Sequence, residues 1–246
     1  MTSSSATQSQ SSELRIAIFA DGADVGAMLK RYREGLVHGF TTNPTLMAKA
    51  GINNYAAFAR EVLEVIRELP ISFEVFSDDF AEMERQALLI ASWGPNVNVK
   101  IPITNTRRES SIPLVKELAG SGVKLNVTAI CTLDQVRDTA TALAGGAPSV
   151  VSVFAGRIAD TGRDPVPLMR EALGICRAAG KGIELLWASP RELLNIIQAA
   201  EVGCDIITVT PDLLKKLDLV GKDLADYSLE TVQMFFRDAQ AAGYKL

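Results

Sequence analysis

Histidine is almost absent: the 246-residue chain carries one, His38. That excludes His-rich metal sites, the HExxH zinc helix and any Ser-His-Asp triad not built on this residue. Cysteine is nearly as scarce. Cys131, Cys176 and Cys204 are too few and too scattered for a disulfide framework in a chain of this length, and their apolar surroundings suit small buried hydrophobes. Neither GxGxxG nor GxxxxGK[ST] occurs, so the common phosphate-cradling loops of nucleotide binders are missing. No run approaches eighteen apolar residues, and no membrane-spanning helix is expected. Positive charge is not in excess either, since 25 Lys+Arg against 29 Asp+Glu leave a net charge of −4. Such a chain has no general attraction to nucleic acid or anionic membranes. Acid–base chemistry therefore falls to carboxylates, lysines, tyrosines or bound water.

What is present is ordinary globular composition, 48% hydrophobic and 22% charged. Residues 1–13, MTSSSATQSQSSE, hold no aromatic or branched aliphatic side chain and read as a disordered tail. They lack the basic start and apolar middle of a secretory signal and the arginines of a transit peptide, so a cytoplasmic location is expected. Residues 14–246 read as one domain.

From Arg15 onward, short apolar runs alternate with longer amphipathic ones. The expected strands are Arg15–Ala20, Val37–Thr41, Ile71–Phe76, Val97–Ile103, Val123–Ile130, Ser149–Phe154, Gly182–Trp187 and Asp205–Val209. Most are nearly continuous aliphatic runs, as in strands covered on both faces. Helical period marks Tyr55–Leu69, Phe80–Trp93, Leu133–Leu143, Pro165–Ala178 and Pro190–Ala200. Eight β-α units in this length predict an α/β fold, a closed (β/α)8 TIM barrel, over an open doubly wound sheet. A further amphipathic helix, Ser228–Ala242, presents Leu229, Val232, Phe235 and Phe236 on one stripe. It either caps the barrel mouth or packs on another subunit, which would make the protein a homo-oligomer.

Barrel chemistry sits at the carboxyl ends of the strands. Lys100 lies within Val97-Asn98-Val99-Lys100-Ile101-Pro102-Ile103, where burial favours a neutral amine able to attack a carbonyl. The alternative is a structural pairing with Asp21 or Glu74. No pyridoxal-phosphate motif suggests a cofactor, so an imine formed directly with a sugar carbonyl is the simple reading. Asp21 is a candidate general base, or a turn residue in Asp21-Gly22-Ala23-Asp24. Glu74, in a strand too apolar for a solvated carboxylate, is paired with a cation or functional. Ser189-Pro190-Arg191-Glu192 has the pattern of a capping box, and a helix N-terminus after strand 7 is also where barrels hold phosphate. Arg157 follows strand 6 after a small-residue turn that lets an anion approach.

These residues resemble the transaldolases and the related fructose-6-phosphate aldolases. The resemblance runs from Phe19 to Leu217 and is carried by Gly39-Phe40-Thr41-Thr42-Asn43-Pro44-Thr45-Leu46, Val99-Lys100-Ile101-Pro102 and Ser152-Val153-Phe154-Ala155-Gly156-Arg157-Ile158. It implies that Lys100 is the Schiff-base lysine, Asp21 the base for carbon–carbon cleavage, and Glu74 with Thr128 the holders of a proton-shuttling water. It also implies substrate contacts from Thr42, Asn43, Asn126 and Ser152, and a phosphate contact from Arg157, with sugar phosphates as the partners and no cofactor or metal. Aldolases of the family are expected to carry Gln and Tyr where this chain has Glu74 and Phe154. The chain therefore sides with transfer of a dihydroxyacetone unit over its release. It departs from the family after strand 7, where a Ser-Phe-Arg or Ser-Phe-Lys segment is replaced by Trp187-Ala188-Ser189-Pro190-Arg191. Ser189 and Arg191 then remain to complete the phosphate site, or the sugar is modified or unphosphorylated. A non-catalytic sugar-phosphate binder is the remaining alternative.

Overall fold

The computed structural model describes residues 15–245; the expected tail at residues 1–13 lies outside them. Eight parallel strands close into a barrel in sequence order. They are β1 (Ala17–Asp21), β2 (Gly39–Thr41), β3 (Ile71–Glu74), β4 (Val97–Pro102), β5 (Leu125–Ile130), β6 (Ser149–Val153), β7 (Ile183–Trp187) and β8 (Ile206–Val209). The expected strands all occur; β1 starts two residues later than expected and runs one further, to Asp21, and the other seven lie within their expected spans. The outward residues, among them Phe40, Phe73, Val99, Val127, Val151 and Trp187, are fully buried beneath the helices. This double cover explains why the strands read as continuous apolar runs.

Helices connect the strands, and most start on a side-chain cap. Asp24, Asn43, Asn54, Asp79, Thr132 and Asp164 each accept a backbone N–H of the first turn that follows. Tyr55–Val65, Phe80–Ala91, Leu133–Leu143 and Pro165–Ala179 match the periodic segments of the sequence. The segment after β7 does not. Its helix runs Leu194–Val202, not from Pro190, and Ser189 is not its cap. Ser189 instead sits at φ 62, a left-handed conformation that a non-glycine residue rarely takes. The amides of Arg191 and Glu192 are bonded by the Asn195 side chain, at 2.7 and 3.2 Å. The Ser-Pro-x-Glu pattern loses because the turn out of β7 uses Ser189 in a conformation incompatible with capping.

Inside the barrel the period-two alternation sorts side chains into layers. A lower layer of Phe19, Val150, Leu186 and Ile206 packs as a small apolar cluster. Gly39 makes room for it, because a Cβ there would stand 2.6 Å from the Phe19 ring. Above this plug the inward positions are mostly polar, with Ala188 and Phe154 as apolar exceptions, so the barrel is filled below and open to chemistry above. β5 carries an irregularity between Val127 and Ile130, with Ala129 at φ 62. The bulge falls beside Thr128, at the end of the strand where such irregularities re-aim side chains.

The final helix, Leu224–Ala242, buries none of its residues. Leu229, Val232, Phe235 and Phe236 are 55–65% exposed, and the helix does not cap the barrel mouth. Among the described residues no helix is long and apolar enough to cross a membrane.

Candidate functional site

The upper layer of the barrel is one registered row. Glu74 on β3 pairs with Lys100 on β4, and Lys100 with Asn126 on β5. Asp21 on β1 pairs with Thr41 on β2. Because strand register fixes these neighbours, residues scattered from 21 to 208 converge on a single cavity of about 490 Å³.

Lys100 is 7% exposed. Its Nζ lies 3.1 Å from Glu74 Oε2 and donates to the Thr42 carbonyl at 2.9 Å. A buried cation is held only where such partners compensate its lost hydration. Asp21 accepts a hydrogen bond from Thr41 Oγ1 at 2.8 Å, and the Thr41 and Thr208 hydroxyls are themselves hydrogen-bonded to one another. Desolvation pushes the Asp21 carboxyl above the ordinary aspartate range, against the lowering effects of the Lys100 charge and the Thr41 bond. A carboxylate moved toward neutrality in a cleft is suited to moving protons.

On the opposite wall, Asn126 is locked by two bonds. Its Nδ2 donates to Ser72 Oγ at 3.0 Å, and its Oδ1 accepts from Ser152 Oγ at 2.7 Å. Thr128 Oγ1 is buried and has no hydrogen-bond partner among the described residues. It is a free donor and acceptor facing the cavity that Lys100 and Glu74 also line. Asn43 caps the helix Pro44–Lys49 through Oδ1, leaving its amide nitrogen toward the same cavity. Thr42 takes a different place from the one the resemblance implies. Its side chain is fully buried and donates to the Ser72 carbonyl at 2.9 Å, so only its main-chain oxygen reaches the site, at Lys100.

The rim holds Phe154, Arg157, Ser189 and Arg191. Arg157 lies over the Phe154 ring, 5.7 Å from its centroid, and makes no ion pair among the described residues. Arg191 is engaged by Asp160 through two hydrogen bonds, Nε donating at 3.0 Å and Nη2 in close contact. The main-chain amides expected to receive an anion here are already bonded to Asn195. His38 lies before β2, at the other end of the barrel, where its Nδ1 accepts the Ile18 amide.

Several residues that shape the site escaped the sequence reading. Thr41, Ser72 and Thr208 orient Asp21 and Asn126, and Lys49 reaches the cavity edge. The alternation of β8 marks Thr208 as inward, which was the available signal. Asp160 carried none, because its partner Arg191 is 31 residues away.

The chain matches the family described as transaldolase/fructose-6-phosphate aldolase over residues 18–246. A "Probable transaldolase" of Dehalococcoides mccartyi is 36% identical over 200 residues, covering 81% of this chain and 89% of the relative. A "Probable transaldolase 2" of Listeria monocytogenes is 36% identical over 233 residues, covering 92% and 97%. Among solved structures, a dihydrodipicolinate synthase from Rhodopseudomonas palustris superimposes with a TM-score of 0.58 at 16% identity, covering 91% of this chain and 79% of that one. A HpcH/Hpal aldolase/citrate lyase family protein from Burkholderia cenocepacia gives 0.56 at 16%, covering 94% and 99%. At such identities these two are likenesses of fold.

Proposed function

The chain belongs to the transaldolase/fructose-6-phosphate aldolase family, and from that premise we propose that it transfers a dihydroxyacetone unit between sugar phosphates through an imine on Lys100. The observation that carries this reading is the buried Lys100 amine, 3.1 Å from Glu74 and sharing a cavity with Asp21 and the unpartnered Thr128 hydroxyl.

In the proposed sequence, Lys100 Nζ gives a proton to Glu74 and its lone pair adds to the ketone carbon of a ketose. The carbinolamine loses water with proton delivery through the Glu74–Thr128 side, leaving a protonated imine. Asp21 removes the proton of the hydroxyl on the far carbon of the bond to be broken, the carbon that leaves as the aldehyde. That bond cleaves, its electron pair enters the iminium to form an enamine, and the shortened aldehyde leaves. The enamine carbon then attacks an acceptor aldehyde, Asp21 returns its proton to the new hydroxyl, and water releases the product. Phe154 offers no proton to the enamine, so the three-carbon unit is retained until an acceptor arrives. Assays of ketose cleavage with and without an acceptor aldehyde test this point. Turnover is expected to require the acceptor, and efficient acceptor-free turnover would identify an aldolase instead.

A second reading concerns the sugar. With Arg191 held by Asp160 and the nearby amides bonded to Asn195, Arg157 is left as the main anion contact. This favours weak phosphate recognition or a modified, unphosphorylated substrate. The helix Leu224–Ala242 supports a further part of the proposal, assembly with a second copy of the chain. A 19-residue helix with none of its residues buried is marginal in water, and its exposed apolar stripe needs a covering face.

A further inference from the structure

The main chain at Glu74 is left without a strand on one side. Along β3 the backbone groups face alternate neighbours: Val75 N–H donates to the Lys100 carbonyl on β4, whereas the Ser72 carbonyl accepts from Thr42 N–H beside β2. By this alternation the amide and carbonyl of Glu74 face β2. But β2 ends at Thr41, and the chain turns away into the helix Pro44–Lys49. Two partly buried ladder groups would be orphaned next to the reacting lysine.

Tyr55 takes the place of the missing strand. Its phenol oxygen accepts the Glu74 N–H at 2.7 Å and donates to the Glu74 carbonyl at 3.2 Å. The ring is held edge-on by Phe73, Phe76 and Trp93, with centroids 6.0, 4.6 and 5.6 Å away, and it opens a helix capped by Asn54. Burial pushes the phenol above its ordinary range, so it remains a donor at any working pH.

We propose that Tyr55 is a positioning residue for the imine chemistry. Its hydroxyl closes the open edge of β3 and keeps the Glu74 carboxylate in register with Lys100. The inference rests on the reading of Lys100 as the imine-forming lysine, and it assigns a task to a side chain that does not line the cavity. Tyr55→Phe removes one oxygen and leaves the aromatic packing in place.

The test is a double-mutant cycle on the full chain, read as the single-turnover rate of borohydride-trapped imine with a ketose donor. Each variant is assayed well below its own unfolding midpoint. Tyr55→Phe is expected to slow trapping about tenfold with the donor KM nearly unchanged. In a Glu74→Gln background the same change is expected to cost less than about twofold, because coupled residues are not additive. Phe76→Leu is the packing control, since it loosens the aromatic cluster but spares the phenol bonds, and its trapping rate should stay near wild type. A wild-type rate in Tyr55→Phe, full multiplicative loss in the double variant, or an equal loss in Phe76→Leu would overturn the role of Tyr55. Wild-type protein that traps no imine at all would overturn the enzymatic reading itself, a separate and distinguishable outcome.

Discussion

A methyl group on Gly156 would stand 1.6 Å from the carbonyl oxygen of Ser189. The short helix Ala155–Ala159 after β6 and the turn after β7 touch main chain to main chain, with Gly156 N–H donating to the Ala188 carbonyl at 3.3 Å. This contact sets Ser189 and Arg191 relative to Arg157, and only glycine permits it. Gly156→Ala is therefore expected to lower stability by about 1–3 kcal/mol, as overpacking does. It should also raise KM for phosphorylated donors while imine trapping on Lys100 persists. Thermal unfolding and steady-state kinetics check both halves, and an unchanged KM would detach this contact from substrate binding.

Asp160 and Arg191 lead to a prediction of opposite sign. Their pair is about half exposed, so its contribution to stability is small. Asp160→Asn is expected to leave folding nearly unchanged and to free the guanidinium for an anionic substrate. KM for a phosphorylated ketose should fall by about two- to tenfold, and KM for its unphosphorylated counterpart should stay put. Equal KM values in variant and wild type would mean that Arg191 does not reach the phosphate.

These residues also show what a sequence can and cannot display. Lys100 and Glu74 stand out because a charge within an aliphatic strand has no cheap structural explanation. The strands themselves are legible for the same reason, since double-sided burial writes them as apolar runs. Threonine and serine on a strand are unremarkable by type, so Thr41 and Ser72 gave no signal and Thr208 only the inward alternation of β8. The hydroxyl contact between Thr41 and Thr208 joins positions 167 residues apart, and closure of the barrel creates it. Ser189-Pro190-Arg191-Glu192 misled for a local reason: the pattern fits a cap, but packing against Gly156 and the left-handed turn moved the helix start to Leu194.

For Asp21 the raised carboxyl fixes the sign of a pH effect. Folding disfavours its ionised form, so the penalty is absent below the ordinary value of 3.8 and fully present above the raised folded value. Removing the charge should therefore stabilise the protein at pH 7. Asp21→Asn is expected to unfold at a higher temperature than wild type at neutral pH, by about 2–4 °C for each kcal/mol of relief, with the gap closing as pH falls toward 3.8. Ketose cleavage should fall about 10²–10⁴-fold, while imine formation on Lys100 continues. A lower midpoint at pH 7 would contradict the account of Asp21.

The exposed stripe of the last helix makes assembly measurable. Wild-type chain is expected to exceed the monomer mass in light scattering at micromolar concentration. Phe235→Asp combined with Phe236→Asp, two residues 63% and 65% exposed, should return it to monomer with the barrel still folded. A monomeric wild type would remove the second copy from the proposal.

The most direct test is chemical. Protein incubated with a ketose phosphate and borohydride, then digested and sequenced by mass spectrometry, should carry one reduced three-carbon unit on Lys100 and nowhere else. Lys100→Met should carry none. A wild-type chain that stays unlabelled, or a label that persists in Lys100→Met, would contradict the imine assigned to this amine.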